Sequence, residues 1–293
     1  MAVIVAPVPE RLRRARRWER RAVVDRSMRT LALACTILAV IPLVTILAFV
    51  TINGITALSI DLLTRPPKAT GVGGGAVTAI TGTIQMVGLA TIIAVPVGLL
   101  AGVYVSEFAG RRTAGAVRFC ADVLVGIPSI LVGVFVFTFL VLPFKQYNAF
   151  AGAVALAVIM VPVIMRTTEE ILKLVPGDLR EASLAIGVRR WRTVISIAIR
   201  TGWPGILTGV MLAVARAAGE TAPLIMTALG SRLLNIGDFS RPMDALPLFI
   251  YANARQPFPA LNAQAWGAAF LLLLAVLIIN ILVRGRSLMG SRR

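Results

Sequence analysis

The sequence predicts an all-α integral membrane protein with six membrane-spanning helices, and two observations support this fold class. Hydrophobic residues make up 58% of the 293 residues, charged residues only 15%, and the mean hydropathy is +0.86. Soluble domains carry about 25% charged residues and disordered chains are poor in apolar residues, so the composition excludes both classes. The second observation is a series of six apolar stretches, most of them close to the roughly 20 residues that a transmembrane helix needs.

Five of these stretches contain no charged residue and cover residues 31–52, 76–105, 123–142, 149–165 and 265–283. The sixth stretch, residues 201–231, is apolar except for Arg216 and Glu220. The second stretch is longer than one span requires, so we expect it to tilt or to begin outside the hydrocarbon.

The basic residues indicate the orientation of the chain. Six spans place the two termini and the segments 106–122 and 166–200 on one side, where they hold 23 basic residues, against 6 on the opposite side. Because basic loops stay cytoplasmic, we expect both termini to be cytoplasmic.

The first 30 residues form a basic arm with nine arginines that precedes the transmembrane domain of residues 31–293. The arm is too long and too basic for a signal peptide, so we expect the first span to be retained. Its composition fits an amphipathic arm on anionic membrane lipid better than a nucleic-acid partner.

The chain offers little for metal binding or for catalysis. Histidine is absent, which removes the commonest metal ligand and general base. Cys35 and Cys120 stand at apolar positions far apart, and we interpret both as small buried hydrophobes rather than a disulfide or a metal site. Glu220 is the only acid within the predicted spans, so we expect no enzyme.

Two exterior segments have turn-forming sequences. The segment 53–75 combines Arg65-Pro66-Pro67 with Gly71, Gly73, Gly74 and Gly75, which predicts a flexible connector. In the outer loop 232–264, prolines surround the apolar run 246–251, for which we expect a short helix at the outer surface.

The interior segment 166–200 predicts two short helices joined at a glycine. Asp178 is placed to act as N-cap, with Glu181 completing a capping box, and Gly187 supplies the left-handed residue that ends the first helix. A second amphipathic helix follows, from Trp191 to Ala198. On these residues alone, a purely structural helix that lies at the membrane interface and stabilises the bundle is an equally good interpretation.

The same segment resembles the EAA loop of ABC importer permeases, in which Glu-Ala-Ala precedes a glycine by three residues. The matching residues are Glu181, Ala182, Ser183 and Gly187, followed by Ile197 and Ile199. The sequence departs from the family pattern at Ser183 for alanine, Ile199 for leucine and Arg200 for proline. The resemblance implies a coupling loop, residues 166–204, in which Glu181, Ala182, Ser183 and Gly187 serve docking to an ATPase subunit.

Further motifs resemble the permeases of phosphate ABC importers, and among these the A-type subunit. They are Gly126-Ile127-Pro128-Ser129, the run 165–170, Val175-Pro176 and the run 215–224, which reads Ala-Arg-Ala-Ala-Gly-Glu-Thr-Ala-Pro-Leu. The resemblance implies a six-span, type I, MetI-like fold in a bacterial plasma membrane. It also implies a homologous C-type permease partner, an ATPase dimer that carries ATP and Mg, and an extracytoplasmic phosphate-binding protein, with no cofactor on this chain.

Arg216 and Glu220 are the candidate substrate-pathway residues. A charge at membrane depth costs roughly 3 kcal/mol or more and usually faces a bundle interior or a pathway. Pro223 weakens the helix beside them, as in many transporter binding sites. The resemblance adds Thr221 and Ser129, and a purely structural Arg216–Glu220 ion pair is the alternative.

The chain has no nucleotide-binding loop, since no Gly-Lys dipeptide occurs in it. We therefore expect the chain to be the transmembrane subunit of an ATP-driven phosphate importer, with ATP bound by a partner. The alternatives are a secondary transporter or channel for an oxyanion, which has no use for a docking loop, and an ABC permease for another oxyanion.

Overall fold

The structure is a computed structural model that describes residues 10–68 and 74–290, which are helical and contain no β-strand. The chain divides into two compact units, residues 1–52 and 53–293. In the first unit the described residues belong to helix α1, Glu10–Ala57, which has Pro42 in its interior. The predicted limit of the basic arm at residue 30 falls inside this helix, and residues 1–9 of the arm lie outside the described residues.

The helices of both units confirm the all-helical, six-span fold class. Candidate spans are Val24–Ala57, Val77–Phe108, Ala149–Leu174, Arg190–Ala218 and Pro259–Ile281, with a sixth formed by the bent pair Arg111–Gly126 and Ser129–Val141. These spans correspond in order to the six predicted apolar stretches.

The second unit contains the end of α1 and then the short helix α2, Ile60–Thr64, followed by α3, Val77–Val103, and a π-helical turn to Phe108. Of the predicted glycine connector, Gly71 and Gly73 lie outside the described residues.

The third span is broken, which the predicted stretch 123–142 does not anticipate. Helix α4, Arg111–Gly126, and helix α5, Ser129–Val136, with a π-helical turn to Val141, meet at an angle of 100°. Ile127 is extended because the residue before a proline avoids the helical conformation. Pro128 then begins the new direction.

The main core lies between α3, α6 (Ala149–Leu174), α9 (Arg200–Ala218) and α10 (Ala222–Thr227). Alanines on α3, α6 and α9, and Ala228 at the end of α10, let the backbones approach closely, as is common in membrane bundles. At the junction of α6 and α10, the backbone nitrogen of Asn148 donates to the Thr227 carbonyl at 3.1 Å. The side chain of Asn148 caps α6.

The interior loop is shorter than predicted, because α6 continues to Leu174 and the loop starts at Val175. Helix α7, Gly177–Ala185, follows. Helix α8, Arg190–Thr193, then runs through a π-helical segment, Val194–Ile199, directly into α9. The two predicted helices are therefore present, but the second is the beginning of the fifth span.

The predicted capping box is wrong. The N-cap position of α7 is Pro176, which makes no side-chain cap, and Asp178 lies inside the first turn. The helix starts earlier than expected because proline is compatible with the position before a helix, so Asp178 contributes only its negative charge near the N-terminus.

At the opposite end of the bundle, helix α11, Leu246–Ala254, confirms the predicted short helix, and α12, Pro259–Gly290, follows it. However, Leu246, Leu248 and Phe249 are buried, so α11 packs into the second unit rather than lying at its surface. The apolar run is explained by this burial.

Both cysteines are free and exposed, so their interpretation as buried hydrophobes is wrong. In a membrane protein an apolar position is equally suited to the lipid-facing surface, and the sequence alone does not separate the two environments.

Candidate functional site

A helix break separates α9 from α10 in the segment predicted to hold the substrate pathway. Helix α9 ends at Ala218, Gly219 is its C-cap, and Thr221 is the N-cap of α10 without a side-chain cap bond. Pro223 has no N–H to donate to the carbonyl of Gly219, so a continuous helix would lose a hydrogen bond here. This confirms the weakened helix beside Glu220.

The break lies near the middle of the bundle. A side chain at Gly209 would lie 2.6 Å from Cβ of Thr167, so α9 and α6 are in close contact there. Arg216 lies seven residues further along α9, about 10 Å at 1.5 Å per residue. On the antiparallel α6 that level corresponds to residue 160, near the centre of a helix that spans 149–174.

Arg216, in the last turn of α9, and Glu220, in the break that follows, form a loose pair. The distance from Nε of Arg216 to Oε1 of Glu220 is 3.8 Å, longer than a hydrogen bond. The Arg216 side chain is 48% exposed and that of Glu220 is 17% exposed. The guanidinium therefore remains accessible to a ligand or to a further subunit.

A second helix break lies beside the first. A side chain at Gly133 on α5 would lie 2.7 Å from Cα of Pro223 on α10, so the two short helices touch at these residues. Ser129, half-buried at the first position of α5, precedes Gly133 by about one helical turn. Ser129 and Thr221 therefore stand at the N-terminal ends of two helices, α5 and α10, that are in contact.

The residues predicted to serve coupling lie on or just after α7, a largely exposed helix of the second unit. Gly187 has φ +83°, which confirms the predicted left-handed residue, and the space beside it is open. Glu181 and Ala182 are exposed. The surrounding surface is apolar, with Leu179, Leu184 and Ile186 all exposed.

Ser183 differs from the other predicted coupling residues because it is buried. Its hydroxyl lies 2.9 Å from that of Thr193, which joins α7 to α8. The serine that departs from the family pattern therefore has a partner of its own inside the loop, and it is not available for contact with another subunit.

A buried carboxylate on α6 was missed by the sequence analysis. Glu169 is fully buried, with Oε1 lying 2.5 Å from both Nε of Arg118 and Nζ of Lys173. Arg166 joins it through Oε2 at 3.4 Å and also binds Asp122 on α4. The spacing of Glu169 and Lys173 signals their pairing, but nothing in the sequence indicates Arg118.

The loop before α11 holds two acids with perturbed ionisation. Burial raises the pKa of Asp244 to about 7, against a backbone hydrogen bond from Ala245 that lowers it. The pKa of exposed Asp238 is lowered, first by hydrogen bonds from the side chain and the backbone of Ser240 and then by nearby Arg241. Within the described ranges no group of three or more acidic or cysteine side chains is arranged to hold a metal.

Comparison with known proteins identifies the family. Residues 94–285 match the model of the binding-protein-dependent transport system inner membrane component. The chain is also 40% identical to the phosphate transport system permease protein PstA of Yersinia pestis, over 95% of this chain and 94% of that one. The chain belongs to this family, in its PstA group. The PstA of Haemophilus influenzae is 44% identical, over 79% of this chain and 82% of that one.

Solved structures support the fold at lower identity. A chain of the MetNI methionine ABC transporter in an inward-facing conformation is 20% identical, with a TM-score of 0.57 over 74% of this chain and 94% of that one. A chain of a bacterial ABC transporter for alginate import is 18% identical, with a TM-score of 0.51 over 71% and 78%. Both likenesses show the MetI-like permease fold.

Proposed function

We propose that this chain is a transmembrane subunit of an ATP-driven importer of inorganic phosphate. The observation that carries the proposal is the half-exposed Arg216 at a helix break near the middle of the bundle, in a chain similar to proteins named phosphate transport permeases. An accessible guanidinium suits an oxyanion because its N–H groups pair with two oxygens at once.

In this proposal Arg216 attracts the oxyanion, and Glu220 keeps the site from holding it too tightly. The 3.8 Å separation supports this division because a looser pair is more easily opened by a competing anion. Ser129 and Thr221 contribute hydroxyl groups from the two neighbouring helix ends. The half-exposed face of Arg216 would lie toward a second, homologous permease subunit that completes the path.

The energy comes from an ATPase dimer that binds ATP and Mg, and α7 is the segment that docks into it. Exposed Glu181 and Ala182, together with the apolar surface around them, support a protein contact rather than a solvated loop. We place this end of the chain, with both termini, on the cytoplasmic side. The opposite end receives phosphate from an extracytoplasmic binding protein.

Two alternative functions use the same oxyanion site but differ from this proposal in the energy source for transport or in the anion transported. A secondary transporter or channel would need no ATPase, whereas an ABC permease for another oxyanion would retain one. The family and the exposed helix α7 favour an ABC permease.

Reconstitution separates these functions. The chain, the second permease, the ATPase and the binding protein are placed in liposomes, and uptake of labelled phosphate and, separately, of labelled sulfate is measured with and without ATP. The proposal predicts ATP-dependent uptake that excess unlabelled phosphate suppresses and excess sulfate does not. Uptake without ATP would support the secondary transporter, and uptake of sulfate alone would support a different oxyanion.

A further inference from the structure

Helix α7 has few apolar contacts of its own with the rest of the second unit. Ser183 is its only buried residue, and α7 is bounded by Pro176-Gly177 on one side and by Gly187 on the other. A side chain at either Gly177 or Gly187 would meet no atom within 4 Å, so neither boundary is packed against the rest of the unit at these positions. Its position therefore depends on polar contacts.

Arg180 makes most of these contacts. Its Nη1 donates to the carbonyl of Val175 at 2.8 Å, and its Nη2 donates to the carbonyl of Leu172 at 2.7 Å. The same Nη2 also donates to Oε1 of Glu107 at 2.7 Å. One guanidinium thus joins α7 to the end of α6 and to the segment that follows α3.

Glu107 belongs to the π-helical turn that ends the second span and is only 8% exposed. Its backbone carbonyl accepts a hydrogen bond from Arg190, whose guanidinium lies 5.5 Å from the centre of the Phe108 ring. Both sides of the interior loop, α7 and α8, are therefore fastened to this one turn. A buried ion pair of this kind is sensitive to the loss of either partner.

The turn is the end of a span that reaches the opposite end of the bundle. There Gln85 on α3 donates to the carbonyl of Asn235 at 3.0 Å and accepts from the backbone of Gly237 at 2.7 Å. Helix α3 thus connects the interior loop with the outer loop that follows α10. Helix α3 also shares the main core with Ala217 on α9 and Leu224 on α10, residues on the two sides of the helix break.

We propose that Arg180 is a positioning residue that fastens the coupling helix to α3 through Glu107, so that movement of α7 reaches the translocation path through the second span. The inference rests on the proposed function, because it assigns a route to the coupling that the function requires. It gives Arg180 no contact with the ATPase or with the substrate.

The geometry requires arginine. A guanidinium presents several donors in a rigid plane, and here they reach two carbonyls and one carboxylate together. Lysine keeps the charge but places its donors on one flexible ammonium group. Arg180→Lys therefore preserves the charge of the loop and removes its rigid attachment.

The test measures phosphate uptake and ATP hydrolysis in the same proteoliposomes. For Arg180→Lys we expect normal co-purification of the ATPase, hydrolysis within about twofold of wild type, and at least a tenfold fall in phosphate transported per ATP. Glu107→Gln removes the charge from the other side of the same contact, and it should also lower the phosphate transported per ATP. Arg112→Lys, an exposed arginine on α4, is the matched control and should leave the ratio unchanged.

The double variant completes the test. If Arg180 and Glu107 act through one contact, the combined change should be no worse than the larger single change. A double variant whose fall in phosphate per ATP equals the product of the two single falls would overturn the inference. Loss of the ATPase from Arg180→Lys complexes would also overturn it, as would an equal fall in hydrolysis and uptake. A wild-type complex that fails to transport phosphate would instead contradict the proposed function.

Discussion

Gly187 offers the sharpest test of the interior loop, because its φ of +83° is a conformation that side chains rarely adopt. No atom lies within 4 Å of a Cβ added there, so a substitution meets a backbone penalty and no clash. That penalty is roughly 1–2 kcal/mol for a residue with a side chain, and a β-branched residue lies at its upper end. This corresponds to a decrease of about 5- to 30-fold in the ratio of the native turn to its alternative conformations.

The assay is a titration of ATPase subunit against the assembled permease, with the half-saturating concentration as readout. Gly187→Val should raise that concentration, by at most about 30-fold, because only the competent turn docks and the variant lowers its fraction. Gly187→Asn should lie close to wild type, because asparagine tolerates the left-handed region. Equal affinities for valine, asparagine and glycine would refute the reasoning.

Three further predictions concern other parts of the chain. In a background without the two exposed native cysteines, a cysteine at Asp238 should react with an impermeant thiol reagent added outside intact cells and one at Gly177 should not; the opposite pattern would reverse the topology. Glu181→Gln should reduce ATPase association at least tenfold without lowering the melting temperature, and a change in stability alone would make Glu181 structural. The raised pKa of Asp244 means that the folded chain holds its proton when the unfolded chain has lost it, so stability should fall as pH rises from about 4 to 7. Asp244→Asn should remove that fall in a melting-temperature series, and parallel curves for both proteins would contradict the assignment.

The features that the sequence predicts correctly are those set by local chemistry. Apolar length predicts the number and order of the spans, since each must satisfy its backbone hydrogen bonds internally. It misplaces the fifth span, which covers Arg190–Ala218 rather than residues 201–231, because the chain breaks after Ala218. Gly187 permits a left-handed turn that other residues rarely adopt, and Pro223 lacks the N–H that a continuous helix would need.

The features that the sequence misses depend on partners distant along the chain. Charges at residues 166–173 suggest a loop, yet α6 continues through them because Glu169 forms an ion pair with Arg118 on α4. The contact between Glu107 and Arg180 joins residues that are 73 positions apart. Neither pairing leaves a periodic signal.

Burial in a membrane bundle is equally hard to predict from composition. The exposed Cys120 and the buried Leu248 occupy apolar positions of the same kind. Only the packing of the helices decides which of them faces the interior.

The central claim is that phosphate passes Arg216, and the most direct measurement is labelled phosphate uptake by reconstituted Arg216→Gln complexes. Arg112→Gln, an exposed arginine at the interior-loop end, serves as the matched control. We predict that Arg216→Gln complexes assemble and hydrolyse ATP but lose at least tenfold in uptake, while the control transports normally. Uptake at the wild-type rate by assembled Arg216→Gln complexes would contradict the account, and failure to assemble would identify the Arg216–Glu220 pair as structural.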